Sequence, residues 1–263
     1  MCRWLAYLGA PRYLETLVTE PANSLVRQSL SAQRGTVPTN GDGFGLGWYG
    51  DREVPGVYRE TLPAWNDRNL RSLCQQISSP LFFAHVRAST GTATTRANCH
   101  PFVVGNWLFM HNGKIGNYER VRRRLELDIQ DAHYGFREGT TDSELFFLLL
   151  FADGLADGPG TGGAGICEAL ARTTRRVLDA MDAAGATEPL RLTAALTDGR
   201  RIAAIRYASD DQPPSLYWAR SGDHTIIVSE PLEADGAEAW DEVPNGRLLL
   251  AEGDAVELRP FHA

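Results

Sequence analysis

Met1-Cys2-Arg3-Trp4-Leu5-Ala6-Tyr7-Leu8 opens the chain. Residues Cys2–Leu8 carry bulky side chains and read as a short strand that begins almost at the first residue, with a cysteine at its head. Working outward, Asn40-Gly-Asp-Gly-Phe-Gly-Leu-Gly47 reads as a glycine-laced turn running into Trp48-Tyr49. Leu70, Leu73, Cys74 and Ile77 fall at helical spacing with Asn66 and Asp67 as caps. Pro80 ends that helix, and Leu81–Arg87 follows as a buried strand. Phe102–Val104 and Trp107–Met110 flank Gly105-Asn106 as a hairpin, and His111-Asn112-Gly113 comes after the second strand. Tyr118–Leu127 is an amphipathic helix, and Thr141-Asp-Ser-Glu144 has capping-box spacing ahead of the apolar run Leu145–Phe151. After an exposed connection over Gly154–Gly165 comes a helix over roughly Ile166–Ala183, closed by Gly185. Beyond Pro189 the pattern turns to strands: Leu190–Leu196, Arg201–Tyr207, Leu216–Ala219, His224–Val228, and pieces near Leu248 and Val256. Helices and strands come in runs rather than in strict alternation. That argues for an α+β or layered sandwich over a doubly wound sheet.

The 263 residues are 43% hydrophobic and 22% charged, the composition of a water-soluble globular protein long enough to bury a full core. Acidic residues outnumber basic ones 33 to 26, and the formal charge of −7 repels phosphate backbones and anionic lipid surfaces. Neither nucleic acid nor a membrane is therefore expected as a partner. Leu145–Phe151 is the longest apolar run and is too short to span a bilayer, and Pro11, Arg12 and Glu15 interrupt any signal peptide. Cys2, Cys74, Cys99 and Cys167 form no CxxC pair and no disulfide scaffold, so a cytoplasmic location is the simplest expectation.

Several patterns have ordinary explanations. Gly158-x-Gly160-x-x-Gly163 matches the dinucleotide fingerprint, but a helix rather than a strand precedes it, so it reads as a loop. Arg120, Arg122, Arg123 and Arg124 alternate with acidic residues as a solvated helix face does. His85, Cys99, His100 and His111 fit no zinc spacing. Cys2 is different. Removal of the initiator methionine would place a thiol and a free α-amino group on one residue, and an amine with a pKa of about 7.7–8.0 can accept the thiol proton. Arg87 after a strand offers a fork for a carboxylate. Asn112-Gly113 offers an amide beside a flexible backbone, and Asp142 an acidic group at a helix start. Separately these read as a salt bridge, a turn and a cap; jointly they suit an amino-acid ligand.

These pieces together resemble the class II, N-terminal-nucleophile glutamine amidotransferases. The matching motifs are Met1-Cys2-Arg3-Trp4-Leu5, Asn40-Gly-Asp-Gly-Phe-Gly, His85-Val-Arg87-Ala-Ser-Thr, Asn98-Cys-His100-Pro-Phe, His111-Asn112-Gly113-Lys-Ile-Gly-Asn and Thr140-Thr-Asp142-Ser-Glu, in the family's order within residues 2–150. The chain is most similar to the small stand-alone γ-glutamyl amidohydrolases of ergothioneine biosynthesis and glutathione degradation, which Ser229-Glu230-Pro231-Leu232 also resembles. The resemblance implies an α+β, four-layer αββα sandwich, with residues 1–263 forming one domain and the strands of 190–260 completing it. It implies that Cys2 attacks the γ-carbonyl of glutamine or a γ-glutamyl amide to give a thioester. Arg87 would hold the substrate α-carboxylate and Asp142 its α-ammonium, with His111 also placed on the substrate side, and Asn112 and the Gly113 N–H would form the oxyanion hole. Neither cofactor nor metal is implied.

Alternatives are a glutaminase subunit passing ammonia to a separate synthetase and a non-catalytic γ-glutamyl-binding protein. A third, an autoprocessing acylase, is disfavoured because Cys2 follows Met1 directly with no propeptide. A leaving amine larger than ammonia would rest in a pocket lined by the Ser89–Ala97 loop and an aromatic such as Trp48 or Trp65.

Overall fold

The computed structural model describes residues 2–34, 38–89, 91–156, 161–232 and 239–263. Met1, Thr90 and the Gly158 and Gly160 positions of the glycine pattern lie outside them. The strands are β1 (Arg3–Tyr13), β2 (Phe44–Trp48), β3 (Gly56–Glu60), β4 (Ser78–Val86), β5 (Phe102–Val104), β6 (Trp107–Lys114), β7 (Arg191–Thr197), β8 (Arg201–Ala208), β9 (Tyr217–Ser221), β10 (His224–Val228), β11 (Asp241–Glu242), β12 (Arg247–Glu252) and β13 (Ala255–Pro260). Among the described residues they form two sheets, ordered β11-β9-β10-β1-β4-β2-β3 and β13-β12-β8-β7-β6-β5, and every ladder is antiparallel. The helices are α1 (Glu15–Val18), α2 (Leu25–Leu30), α3 (Arg68–Gln76), α4 (Tyr118–Glu126), α5 (Asp131–Tyr134), α6 (Asp142–Ala152) and α7 (Gly163–Ala183).

The period-2 alternation of strand side chains builds the layers. Trp4, Ala6 and Leu8 of β1 meet Leu81 and Phe83 of β4, Leu108 and Met110 of β6, and Ala195, Ala204 and Leu249 in a core between the sheets. Leu5 and Tyr7 turn the other way and pack with Phe82, Ala84 and Val86 against Leu17, Leu25 and Leu70 of α1, α2 and α3. Phe109, Leu192 and Leu196 form the outer face of the second sheet, under α4, α6 and α7. The result is helix, sheet, sheet, helix. Leu145–Phe151 of α6 is buried all round, as an unbroken apolar run requires. Thr141 caps that helix by accepting the Glu144 N–H at 3.2 Å.

Three local readings change. The Asn40–Gly47 turn gives way earlier than expected, because Phe44–Trp48 is strand β2. A Cβ at Gly45 would run into the His100 carbonyl, so glycine here serves close packing rather than a turn. Pro80 lies inside β4, which starts at Ser78. The β1–β4 register shifts between Leu8 and Arg12, and such an irregularity tolerates a residue with no N–H. Strand β6 carries on through His111-Asn112-Gly113, because β7 pairs with it as far as Lys114↔Arg191.

Candidate active site

Cys2 precedes β1 in the middle of its sheet, and the same alternation that buries Trp4 between the sheets turns Cys2 to that side. Asn112 shares the inward face of β6 with Leu108 and Met110. Trp4 Nε1 donates across the gap to the carbonyl of Thr193, the register partner of Asn112, at 3.3 Å. Cys2 and Asn112 thus head two facing strands. Asn112 is 1% exposed, and among the described residues its Nδ2 has no partner, an amide donor left uncommitted in the interior.

Gly113 has φ +152°, and a Cβ there would collide with the Arg191 carbonyl, so the position excludes a side chain. His111 points to the helix side instead. Its Nδ1 lies 2.9 Å from Ser143 Oγ and its Nε2 3.2 Å from the Arg191 carbonyl, and burial pushes its pKa down against the raising influence of Asp142. Both ring nitrogens are engaged within the fold, which ties the backbone of the Asn112–Gly113 strand to the start of α6. Asp142, at that start, accepts the Ile115 N–H at 2.8 Å and the Ser143 N–H at 2.9 Å.

The Cys2 thiol donates to the Ala88 carbonyl at 3.6 Å. Burial pushes its pKa up, opposed by the Ala88 backbone and by the guanidiniums of Arg87 and Arg3. Arg87 follows β4, and its guanidinium donates to the Asp42 carbonyl at 3.2 Å, to Ser89 Oγ at 3.2 Å and to Thr92 Oγ1 at 2.6 Å. Asp42 in turn accepts the Ser89 N–H at 2.7 Å, and Asn98 ties the Ala93 carbonyl to Thr140. Asp42, Thr92 and Asn98 therefore support the site. Asp42 and Asn98 lie inside the glycine-rich and Asn98-Cys-His100 motifs, but the residues that reveal their role, Ser89 and Thr140, are distant in sequence. No carboxylate pairs with Arg87 among the described residues; its partners there are neutral oxygens.

His85 and His100 stack with ring centroids 4.2 Å apart, both fully buried, and burial lowers His85 to about 3. They stay neutral at physiological pH. The two candidate aromatics separate. Trp48 stands at the far end of β2 from Gly43 and lies against Gly56, away from Arg87, whereas the ring of Trp65 lies beside Gly41, next to the segment that holds Arg87. A cleft of about 220 Å³ lined by Tyr49, Pro80, Asn106, Asp198 and Arg200 opens at the opposite ends of the strands, and no cysteine, serine or threonine lines it.

The fold and this constellation define a class. Residues 17–212 match the family described as glutamine amidotransferases class-II, and the chain belongs to that family of enzymes. It is 33% identical to the probable glutamine amidotransferase DUG3 of Saccharomyces cerevisiae, over 99% of this chain and 84% of the yeast protein. It is 30% identical to the gamma-glutamyl-hercynylcysteine sulfoxide hydrolase of Mycolicibacterium smegmatis, over 99% of this chain and all of that one. A glutamine aminotransferase class-II domain protein from Silicibacter pomeroyi superposes over the whole of both chains with a TM-score of 0.76 and 34% identity. The phosphoribosylpyrophosphate amidotransferase of B. subtilis shares the fold, with a TM-score of 0.68 at 14% identity over half of that chain. Among the described residues no helix is long and apolar enough to cross a membrane.

Proposed function

We propose that this chain hydrolyses the γ-amide bond of a γ-glutamyl compound larger than glutamine, through a thioester on Cys2. The observation that carries the reading is Cys2 at the head of a central strand, facing the strand that presents the uncommitted Asn112 amide and flanked by Arg87, which has no carboxylate partner among the described residues. Loss of the initiator methionine frees the Cys2 α-amine, which takes the thiol proton. The thiolate attacks the γ-carbonyl, and the oxyanion is met by Asn112 Nδ2 and the Gly113 N–H. The C–N bond breaks as the amine leaves with the proton. Water then cleaves the thioester, releasing glutamate and restoring the thiol.

Arg87 holds the substrate α-carboxylate and Asp142 its α-ammonium, while His111 serves from behind by fixing the Asn112–Gly113 strand. Trp65, whose ring lies beside Gly41, would supply the aromatic contact to the leaving amine. The end-to-end match to an enzyme named for a γ-glutamyl substrate larger than glutamine supports a hydrolase of a larger γ-glutamyl amide.

The test compares kcat/KM for glutamine, γ-glutamyl dipeptides and γ-glutamyl thiol compounds. The larger amides should be preferred, because contacts to the leaving amine are available to lower the barrier at the reacting carbon. Glutamine as the best substrate, with its hydrolysis stimulated by a synthetase, would show an ammonia donor instead.

Arg87→Lys keeps the charge but loses the fork that spans Asp42, Ser89 and Thr92. A charged hydrogen bond of roughly 1.5–3 kcal/mol sets the expected drop in kcat/KM at about 10–100-fold, most of it in KM. Steady-state kinetics on a γ-glutamyl dipeptide would check this, and an unchanged KM would remove Arg87 from the carboxylate subsite.

A further inference from the structure

Ser229 and Glu230 follow β10 and continue its pairing with β1. The last paired residues are Leu5↔Val228; beyond them Ser229 N donates to the Trp4 carbonyl at 3.0 Å and Trp4 N donates to Ser229 Oγ at 3.1 Å. Glu230 then falls opposite Arg3. Their side chains, 3% and 0% exposed, form an ion pair from Arg3 Nε to Glu230 Oε2 at 3.2 Å. A buried pair of this kind contributes little net stability, since desolvation offsets attraction, so its presence calls for another reason.

That reason lies in what else the two groups hold. Arg3 Nη1 donates to the Cys2 carbonyl at 3.0 Å. The Glu230 carboxylate also accepts from Asn23 Nδ2 at 3.1 Å, from the Gln33 N–H at 3.1 Å and from the Arg34 N–H at 2.9 Å. A nucleophile on the first residue of a processed chain has no upstream peptide to orient it, and its amine must stay free for proton transfer. Its carbonyl is the remaining backbone handle, and Arg3 grips it. Glu230 fixes the guanidinium by one carboxylate oxygen and is itself held by Asn23 and by the Gln33 and Arg34 amides.

We propose that Glu230, acting through Arg3, is a positioning residue that aims Cys2. This rests on Cys2 being the nucleophile.

The test is the double variant Arg3→Met with Glu230→Gln, made in the full chain. It removes both charges at nearly constant volume and leaves an acceptor for the Gln33 and Arg34 amides. Its thermal midpoint should stay near that of the wild type, while kcat for a γ-glutamyl dipeptide falls about 10²-fold, the size of a misplacement near 1 Å, and KM stays within roughly threefold. Arg3→Lys supplies a second reading should the double variant fail to fold. It keeps a cation for Glu230 but lacks the planar fork that puts Nε on that carboxylate and Nη1 on the Cys2 carbonyl, so the same fall in kcat at steady KM is expected. Wild-type kcat in either folded variant, with the wild type active, overturns the proposal and leaves the nucleophile reading intact. A wild type inactive on every γ-glutamyl amide overturns the nucleophile reading itself, and this proposal with it.

Discussion

Cys2→Ala should reduce hydrolysis of γ-glutamyl amides to background while the protein stays folded. The thiol heads β1 on its inter-sheet side, and the proposed thioester cannot form without its sulfur. The side chain is small and only half buried, with a single 3.6 Å contact to the Ala88 carbonyl, so its loss should cost about 1 kcal/mol or less in stability. Two measurements check this: turnover against wild type at matched thermal midpoint, and the intact mass of the active wild-type protein, which should correspond to a chain beginning at Cys2. Hydrolysis near the wild-type rate by Cys2→Ala would sink the assignment.

The second large effect is expected at Asn112. Its Nδ2 is buried without a partner among the described residues, although an unmatched interior donor normally costs free energy. An oxyanion arriving in the transition state would resolve that. Asn112→Ala should therefore lower kcat by about 10²–10³-fold and leave KM within a few-fold, since the contact strengthens mainly as charge develops on the carbonyl oxygen. Circular dichroism and a thermal midpoint would show whether the strand, held by β7 through Asn112↔Thr193, survives the truncation. A change confined to KM would mean that Asn112 binds ground-state substrate and is no oxyanion donor.

Much of the fold was legible locally. The Thr141 cap, the Gly105-Asn106 hairpin and the α3 helix behind Asp67 depend on neighbours within a few residues, and each stands where the pattern put it. The failures have one cause. Asn40–Gly47 looked like a turn because glycine most often serves turns, yet Gly45 is small because the His100 carbonyl lies where its Cβ would be. His111–Gly113 looked like a strand's end because its residues are polar, and only the partner β7 keeps them extended.

By itself, the sequence determined the residue types and their order: a cysteine heading a strand of bulky residues, an arginine after a second strand, Asn-Gly after a third, and an acidic residue beginning a helix. These follow from side-chain chemistry and short-range periodicity, which act along the chain. Only the tertiary structure decided which way each residue turns. It sent Asn112 inward and His111 outward, brought Trp65 to Gly41 and left Trp48 at the far end of its strand, and joined Arg3 to a carboxylate 227 residues away. Such choices depend on register and on which sheet faces cover one another. Those are set by the summed burial of many side chains, and no local pattern encodes them.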